Sequence, residues 1–174
     1  MTPINYETVE VYQDVLSTPT LLKLLKWVDD NNKLFKDNGV GRRRLRLQDI
    51  NHVFEDFSGI ESKLKSLVKH DGLIPNHSLG DNGHFLFIQV DGASTDVHID
   101  NQYAGYKTVR INTTLAAPQS GGRLVVEGRP IDMSVGTTIV FYPSEVEHWS
   151  EKVVGDQPRI TFSLSYCFPF NNLT

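Results

Sequence analysis

From residue 84 onward the chain is a series of short apolar-rich runs, each closed by a glycine-bearing turn. Residues 85–90 (FLFIQV), 108–115 (TVRINTTL), 123–127 (RLVVE), 137–142 (TTIVFY) and 160–166 (ITFSLSY) are rich in β-branched and aromatic side chains. Asp91-Gly92, Gly121-Gly122, Gly128, Gly136 and Gly155-Asp156 punctuate them. Branched and aromatic residues fit a pleated, half-buried surface, and Gly and Asp supply the backbone conformations of the turns between. Many short strands at regular spacing constrain this half to a sandwich or jelly roll.

The first half has a different texture. Residues 8–16 (TVEVYQDVL) alternate enough to predict a strand, and Ser17, Thr18 and Pro19 interrupt it. A helix is expected over 21–29, with Leu21, Leu24, Leu25 and Val28 on one face and a polar cap before it. A second helix is expected over 60–69, where Ile60, Leu64, Leu67 and Val68 share a face. The stretch NGVGRRRLRLQD between them reads as a glycine-rich basic loop, and 71–81 (DGLIPNHSLGD) as turns with His77 on the surface. Helices first and strands afterwards predict a mainly β protein with N-terminal helices, a jelly roll buttressed from one side.

With 174 residues and no internal repeat or Pro/Ser-rich linker, one domain over 1–174 is expected, 1–83 being the support and 84–174 the core. A charged fraction of 22% and a hydrophobic fraction of 39% place the chain among ordinary soluble proteins. The net charge of −4 gives no reason to expect the whole surface to bind nucleic acid. A single cysteine, Cys167, excludes an internal disulfide, and the first residues lack the basic and apolar segments of a secretory signal. No apolar run reaches the roughly 18 residues of a membrane span. A cytoplasmic setting is the expectation.

Within the β half, His98 and Asp100 stand two apart in VHIDN, and His148 follows in FYPSEVEHW. On a strand, residues i and i+2 project from the same face, so His98 and Asp100 can converge on one ion. Taken alone, a His-x-Asp pair is more often incidental, and His148 could be a loop histidine packed on Trp149. Together, two imidazoles and one carboxylate suit a non-haem Fe(II) site with open positions. No cysteine or third nearby histidine completes a closed zinc site.

Arg159, Thr161, Ser163 and Ser165 share one face of the last predicted strand, with Ile160, Phe162, Leu164 and Tyr166 on the other. A polar inner face needs partners or a ligand, because buried polar groups without hydrogen bonds are costly. The planar fork of an arginine matches a carboxylate, and Thr161 or Ser163 could add a hydroxyl. The competing reading is a salt bridge from Arg159 to Glu147 or Asp156.

HIDN (98–101), GGRLVVEG (121–128), FYPSEVEHW (141–149) and RITFS (159–163), in this order, resemble the Fe(II)/2-oxoglutarate-dependent dioxygenases, in particular their prolyl-4-hydroxylase-like branch. The resemblance covers the half from His84 onward. It implies a double-stranded β-helix in which His98, Asp100 and His148 hold Fe(II) and Arg159 binds the distal carboxylate of 2-oxoglutarate. It further implies O2-dependent hydroxylation of an unactivated C–H bond, with release of succinate and CO2. Many members add a tyrosine from the strand after the first metal pair. Here that strand has none, and Asn112 and Thr114 stand nearest its place. Asp100 favours hydroxylation over halogenation, since related halogenases carry a small residue there.

The branch resemblance points to a prolyl or other amino-acid residue, peptidyl or free, as substrate. Arg42, Arg43, Arg44 and Arg46 form the one dense basic cluster, a solvated face or the anchor of an anionic substrate, a nucleic acid included. Gln102, Tyr103 and Tyr106 follow the metal pair closely enough to border its entrance. A non-catalytic jelly-roll binding module is the reading from a different class.

Overall fold

The computed structural model describes residues 4–6, 8–50, 54–79 and 83–169. In chain order its elements are β1 (Ile4–Tyr6), β2 (Val9–Tyr12), α1 (Thr18–Asp30), β3 (Lys36–Asp37), β4 (Arg42–Arg46), α2 (Phe57–Lys65), β5 (Ile74–Pro75) and β6 (Phe85–Gln89). There follow β7 (Tyr106–Ala116), β8 (Ser120–Gly121), β9 (Leu124–Val126), β10 (Arg129–Pro130), β11 (Thr138–Phe141), β12 (His148–Ser150), β13 (Val153–Val154) and β14 (Arg159–Pro169).

A large antiparallel sheet runs in the order β1-β2-β11-β7-β14-β6-β4-β3, with β5 paired to β14. Opposite it lie the short strands β10-β9-β12 and the pair β13-β8. Period-two alternation divides the large sheet into two faces, and each face meets a different layer. Leu45, Leu86, Ile88, Val109, Ile111, Ile160, Phe162 and Leu164 pack outward with Leu21, Leu24 and Val28 of α1 and Ile60 and Leu64 of α2. Inward, Val9, Val11, Ile139 and Phe141 meet Leu124 and Val126 of the small sheet, with Ile131, Met133 and Val146. Each fully buried side chain of this size contributes about 1.5–3 kcal/mol. This second apolar core fills only one end of the space between the sheets; arginines, hydroxyls and an amide line the other.

Helix α1 starts where the sequence places a stop signal. The Ser17 side chain accepts from the Thr20 amide at 3.3 Å, and a proline sits in the first turn. The helix begins at Thr18 rather than 21 because Pro19 is tolerated where no amide is needed. Trp27, Phe54, Phe57 and Phe162 form an edge-to-face chain, with centroids 5.4–6.4 Å apart, that pins the helical layer to β14.

Three local expectations need correction. The strand expected over 8–16 ends at Tyr12, because Asp14 takes a positive φ of 55° and turns the chain. The second helix covers 57–65 rather than 60–69; Leu67 and Val68 still pack on the core but lie past its end. The stretch expected to be a basic loop is a strand: β4 pairs with β6 along its length and with β3 through a turn at Gly39 and Gly41. The glycines mark the turn, and the arginines that follow are ladder residues.

Candidate metal centre

β12 begins at His148, and its backbone pairs with His98 in an isolated antiparallel bridge. The His98 amide donates to the His148 carbonyl at 3.1 Å, and the His148 amide donates to the His98 carbonyl at 2.9 Å. The Asp100 amide donates to the carbonyl of Pro143 at 2.8 Å. Three backbone bonds thus bring residues from two distant segments to one place.

The side chains follow. Nδ1–H of His98 donates to the Asp96 carbonyl at 2.7 Å, and Nδ1–H of His148 donates to the Val146 carbonyl at 3.1 Å. Each of these bonds fixes the tautomer and leaves Nε2 as the free lone pair. The two Nε2 atoms lie 3.4 Å and 3.7 Å from Oδ1 of Asp100. Its Oδ2 accepts from the Arg110 guanidinium at 2.6 Å. One donor atom from each of the three residues lies within 4.8 Å of the others, a set able to hold a metal ion. Three lone-pair-bearing atoms facing one another are repulsive unless a cation or proton sits among them. Nε2 of buried His148 has no hydrogen-bond partner among the described residues.

The electrostatics distinguish the three residues. Burial pushes the Asp100 carboxyl up, but Arg110 and the two histidines outweigh it and bring its pKa down to about 2. Burial lowers His148 to about 4, so it is neutral at pH 7 and ready to ligate. His98, nearer the solvent, is raised by its contact with Asp100. Phe141 stands edge-on to His148 at 5.3 Å and closes the apolar side.

The three residues open on a cavity of about 430 Å³, the size of a small-molecule site. Arg159 and Thr161 of β14 line it, with Asn112 and Arg110 of β7 and Gln89 of β6. Ser163 and Thr114 lie on the same inward face, where Thr161 pairs with Thr114 and Ser163 with Asn112, but neither borders the cavity. Arg159 is buried, and burial lowers its pKa to about 10, leaving it a cation at neutral pH. The expected alternative partners do not reach it: among the described residues Arg159 forms no ion pair with Glu147, Asp156 or any other carboxylate. Its Nη1 donates to Oε1 of Gln89 at 2.7 Å, and its Nη2 faces the Met133 sulfur at 3.5 Å. Its Nε, Oγ1 of Thr161 and Thr114, Oγ of Ser163 and Oδ1 of Asn112 are buried without partners. Orphaned groups of this kind each cost about 1–3 kcal/mol, and a polar ligand in the cavity could satisfy those of Arg159, Thr161 and Asn112, which line it. A 2-His-1-carboxylate donor set beside an uncompensated buried guanidinium fits Fe(II) and a dicarboxylate such as 2-oxoglutarate.

Gln102, Tyr103 and Tyr106 do not line the cavity. Arg110 and Gln89 do, and sequence reasoning had passed over both. The signal was present in the period of two: Arg110 shares the face of Asn112 and Thr114, and Gln89 that of Phe85 and Phe87.

No family model matches this chain, and no curated protein does. Solved structures do. A viral collagen prolyl hydroxylase from Paramecium Bursaria Chlorella virus-1, in complex with 2-oxoglutarate, superposes with a TM-score of 0.71 at 14% identity over 95% of this chain and 97% of that one. A prolyl hydroxylase from Trichoplax adhaerens, bound to a peptide of the hypoxia inducible factor oxygen degradation domain, gives 0.71 at 15% identity over 95% and 86%. HygX from Streptomyces hygroscopicus, with nickel and 2-oxoglutarate bound, gives 0.69 at 11% identity over 95% and 83%. Two opposed antiparallel sheets, helices on one side and a polar cavity between the sheets, give this chain the double-stranded β-helix fold of the 2-oxoglutarate oxygenases.

Proposed function

We propose that this protein is an Fe(II)- and 2-oxoglutarate-dependent dioxygenase that hydroxylates an unactivated C–H bond, most plainly of a prolyl or other amino-acid residue, peptidyl or free. The carrying observation is Arg159, a buried cation without a carboxylate partner, on the wall of the cavity that holds His98, Asp100 and His148. Fe(II), 2-oxoglutarate and O2 together supply the oxidant, with succinate and CO2 as coproducts. His98 and His148, through Nε2, and Asp100, through Oδ1, would hold the metal, while Arg110 keeps the other carboxylate oxygen. Arg159 takes the distal carboxylate of 2-oxoglutarate in its planar fork. Thr161 offers a hydroxyl to the same ligand and Asn112 a second polar contact, while Ser163 and Thr114 stand behind them on the same face. Phe141 and Leu124 keep water from the reacting centre.

A prolyl substrate draws support from the two prolyl hydroxylases that share the fold, one of them with a peptide bound. The reading treats 1–174 as one domain, with 1–83 supporting the core of 84–174, working in the cytoplasm. No described helix is long and apolar enough to cross a membrane.

The test is an anaerobic titration with Fe(II) and 2-oxoglutarate followed by visible absorbance. A weak charge-transfer band, lost in His98→Ala and in Arg159→Ala, is expected. A folded protein that takes up neither metal nor 2-oxoglutarate would instead be a jelly-roll module that binds some other ligand.

A further inference from the structure

The cavity carries one charge that neither the metal nor 2-oxoglutarate accounts for. Four arginines line it: Arg42, Arg44, Arg110 and Arg159. Arg110 is spent on Asp100, and Arg159 is assigned to 2-oxoglutarate. Arg44 is engaged within the protein. The half-buried Arg42 guanidinium has neither a hydrogen bond nor an ion pair among the described residues, although Asp96 lines the same cavity.

Its place is set by register. Gln89 pairs with Arg159 on one side and with Arg42 on the other, so the three stand in one row across β14, β6 and β4. Two inter-strand spacings separate Arg42 from Arg159, about 10 Å between backbones. That sets Arg42 two strands away from Arg159, on the side of the cavity where a second molecule could meet it. Arg44 stands two residues further along the same face and adds to the positive field there.

The guanidinium is also held in place. It packs over Gly39, where a Cβ would lie 2.5 Å from Nη2, and Gly39 has a φ of +101° that side chains resist. The Asn38 amide donates to the Arg42 carbonyl at 2.9 Å, and the Arg42 amide donates to the Gly39 carbonyl at 3.0 Å. The turn thus fixes both ends of the residue.

We propose that Arg42 recognises a carboxylate carried by the substrate, and that the enzyme acts on acidic substrates. The inference rests on the oxygenase reading above. A carboxylate suits a single guanidinium at a cavity of this size, and the net charge of −4 disfavours a polyanion laid along the surface. The carboxylate has two possible sources, the α-carboxylate of a free amino-acid derivative or an acidic side chain in a peptide.

The experiment uses full-length protein loaded with Fe(II) and saturated with 2-oxoglutarate under anaerobic conditions, titrated by calorimetry at low salt. Two matched pairs serve as probes: N-acetyl-L-proline with its amide, and Ac-Glu-Ala-Pro-Ala-Glu-NH2 with its glutamine counterpart. We expect the acidic member of one pair to bind about 10-fold or more tighter than its neutral partner, a gap of about 1.4 kcal/mol. The pair that shows the gap identifies the source. Arg42→Gln closes the gap, Arg42→Lys retains part of it, and Gly39→Ala narrows it by displacing the guanidinium. Acidic probes that bind no tighter than their partners, or not at all, overturn the proposal, as does a gap that survives Arg42→Gln. A single-stranded oligonucleotide that binds more tightly than either acidic probe, and loses affinity in Arg42→Gln, overturns it in favour of phosphate recognition. Because metal and 2-oxoglutarate uptake are measured first, their absence condemns the oxygenase reading itself. Normal uptake without charge preference condemns the carboxylate alone.

Discussion

Gln89 holds Arg159 with a neutral amide rather than a carboxylate. Its Oε1 accepts from Nη1 at 2.7 Å, while its Nε2 donates to Ser150 Oγ at 2.9 Å, two residues beyond His148 on β12. The amide therefore orients the guanidinium without cancelling its charge, and ties the wall that carries Arg159 to the strand that carries His148.

Replacing that amide by its isosteric acid tests the arrangement. In Gln89→Glu a carboxylate would pair with Arg159 and compete with the incoming dicarboxylate. We expect 2-oxoglutarate affinity to fall about 100-fold, equivalent to about 2.7 kcal/mol, with Fe(II) uptake preserved. Calorimetry with Fe(II)-loaded protein decides it, and an unchanged affinity would remove Arg159 from the 2-oxoglutarate site.

Arg110 should be felt at the metal. Its bond to Oδ2 orients Asp100 so that Oδ1 faces the two imidazoles. Partners that orient metal ligands typically change affinity by about 10- to 100-fold, and Arg110→Met should weaken Fe(II) binding by that amount. Arg110→Lys should fall between the two. An equal affinity in all three proteins would mean that Asp100 is positioned by its backbone alone.

A pH effect on stability is expected from the helical side of the sheet. His84 is buried; its Nδ1 accepts from the Ser165 amide at 3.1 Å and its Nε2–H donates to Glu61 at 3.2 Å. Protonation would set two N–H groups against each other at Nδ1. Burial accordingly lowers the pKa from 6.5 to about 4 despite the nearby Glu61. Between these values the unfolded chain binds more protons than the folded one, so this contribution to stability is complete above pH 6.5 and is lost as pH falls toward 4. Urea midpoints across that range should slope less in His84→Asn, which keeps an acceptor for Ser165 but does not titrate. Parallel slopes would show that other groups set the acid response.

The aromatic chain on β14 carries much of the packing between helices and sheet. Phe162 is fully buried and contacts Phe54 and Phe57 edge-on. Phe162→Ala should cost about 3–5 kcal/mol in denaturant unfolding while leaving the metal ligands, on the opposite face, in place. A cost under about 1 kcal/mol would mean that the helical layer contributes little to stability.

How legible this was depended on which physical rule governed each segment. Strands β6, β7, β11 and β14 were readable because alternation and β-branched residues persist through them. The same alternation places Arg159, Thr161 and Ser163 on one face of β14 and Asn112 and Thr114 on one face of β7, and strand pairing makes these the same face of the sheet. The helix starting at Thr18 was visible in its cap and apolar stripe. Arg42 to Arg46 misled because four charges around one leucine look like loop composition. Only the pairing with β6 reveals that Leu45 faces the helical core while Arg42 and Arg44 face the cavity. Pairing between segments far apart in sequence leaves no local mark, and so the bridge between His98 and His148 was not foreseeable from either segment.

That bridge has a further consequence. The two imidazoles are brought side by side by amide–carbonyl bonds between their own backbones, which use none of the candidate ligand atoms. Assembly of the polypeptide therefore comes before loading, unlike small domains whose folding is driven by the metal they bind. Chelators should leave a folded receptor whose melting temperature lies below that of the loaded form by the linkage contribution of the lost ion, with its capacity restored by adding Fe(II) back.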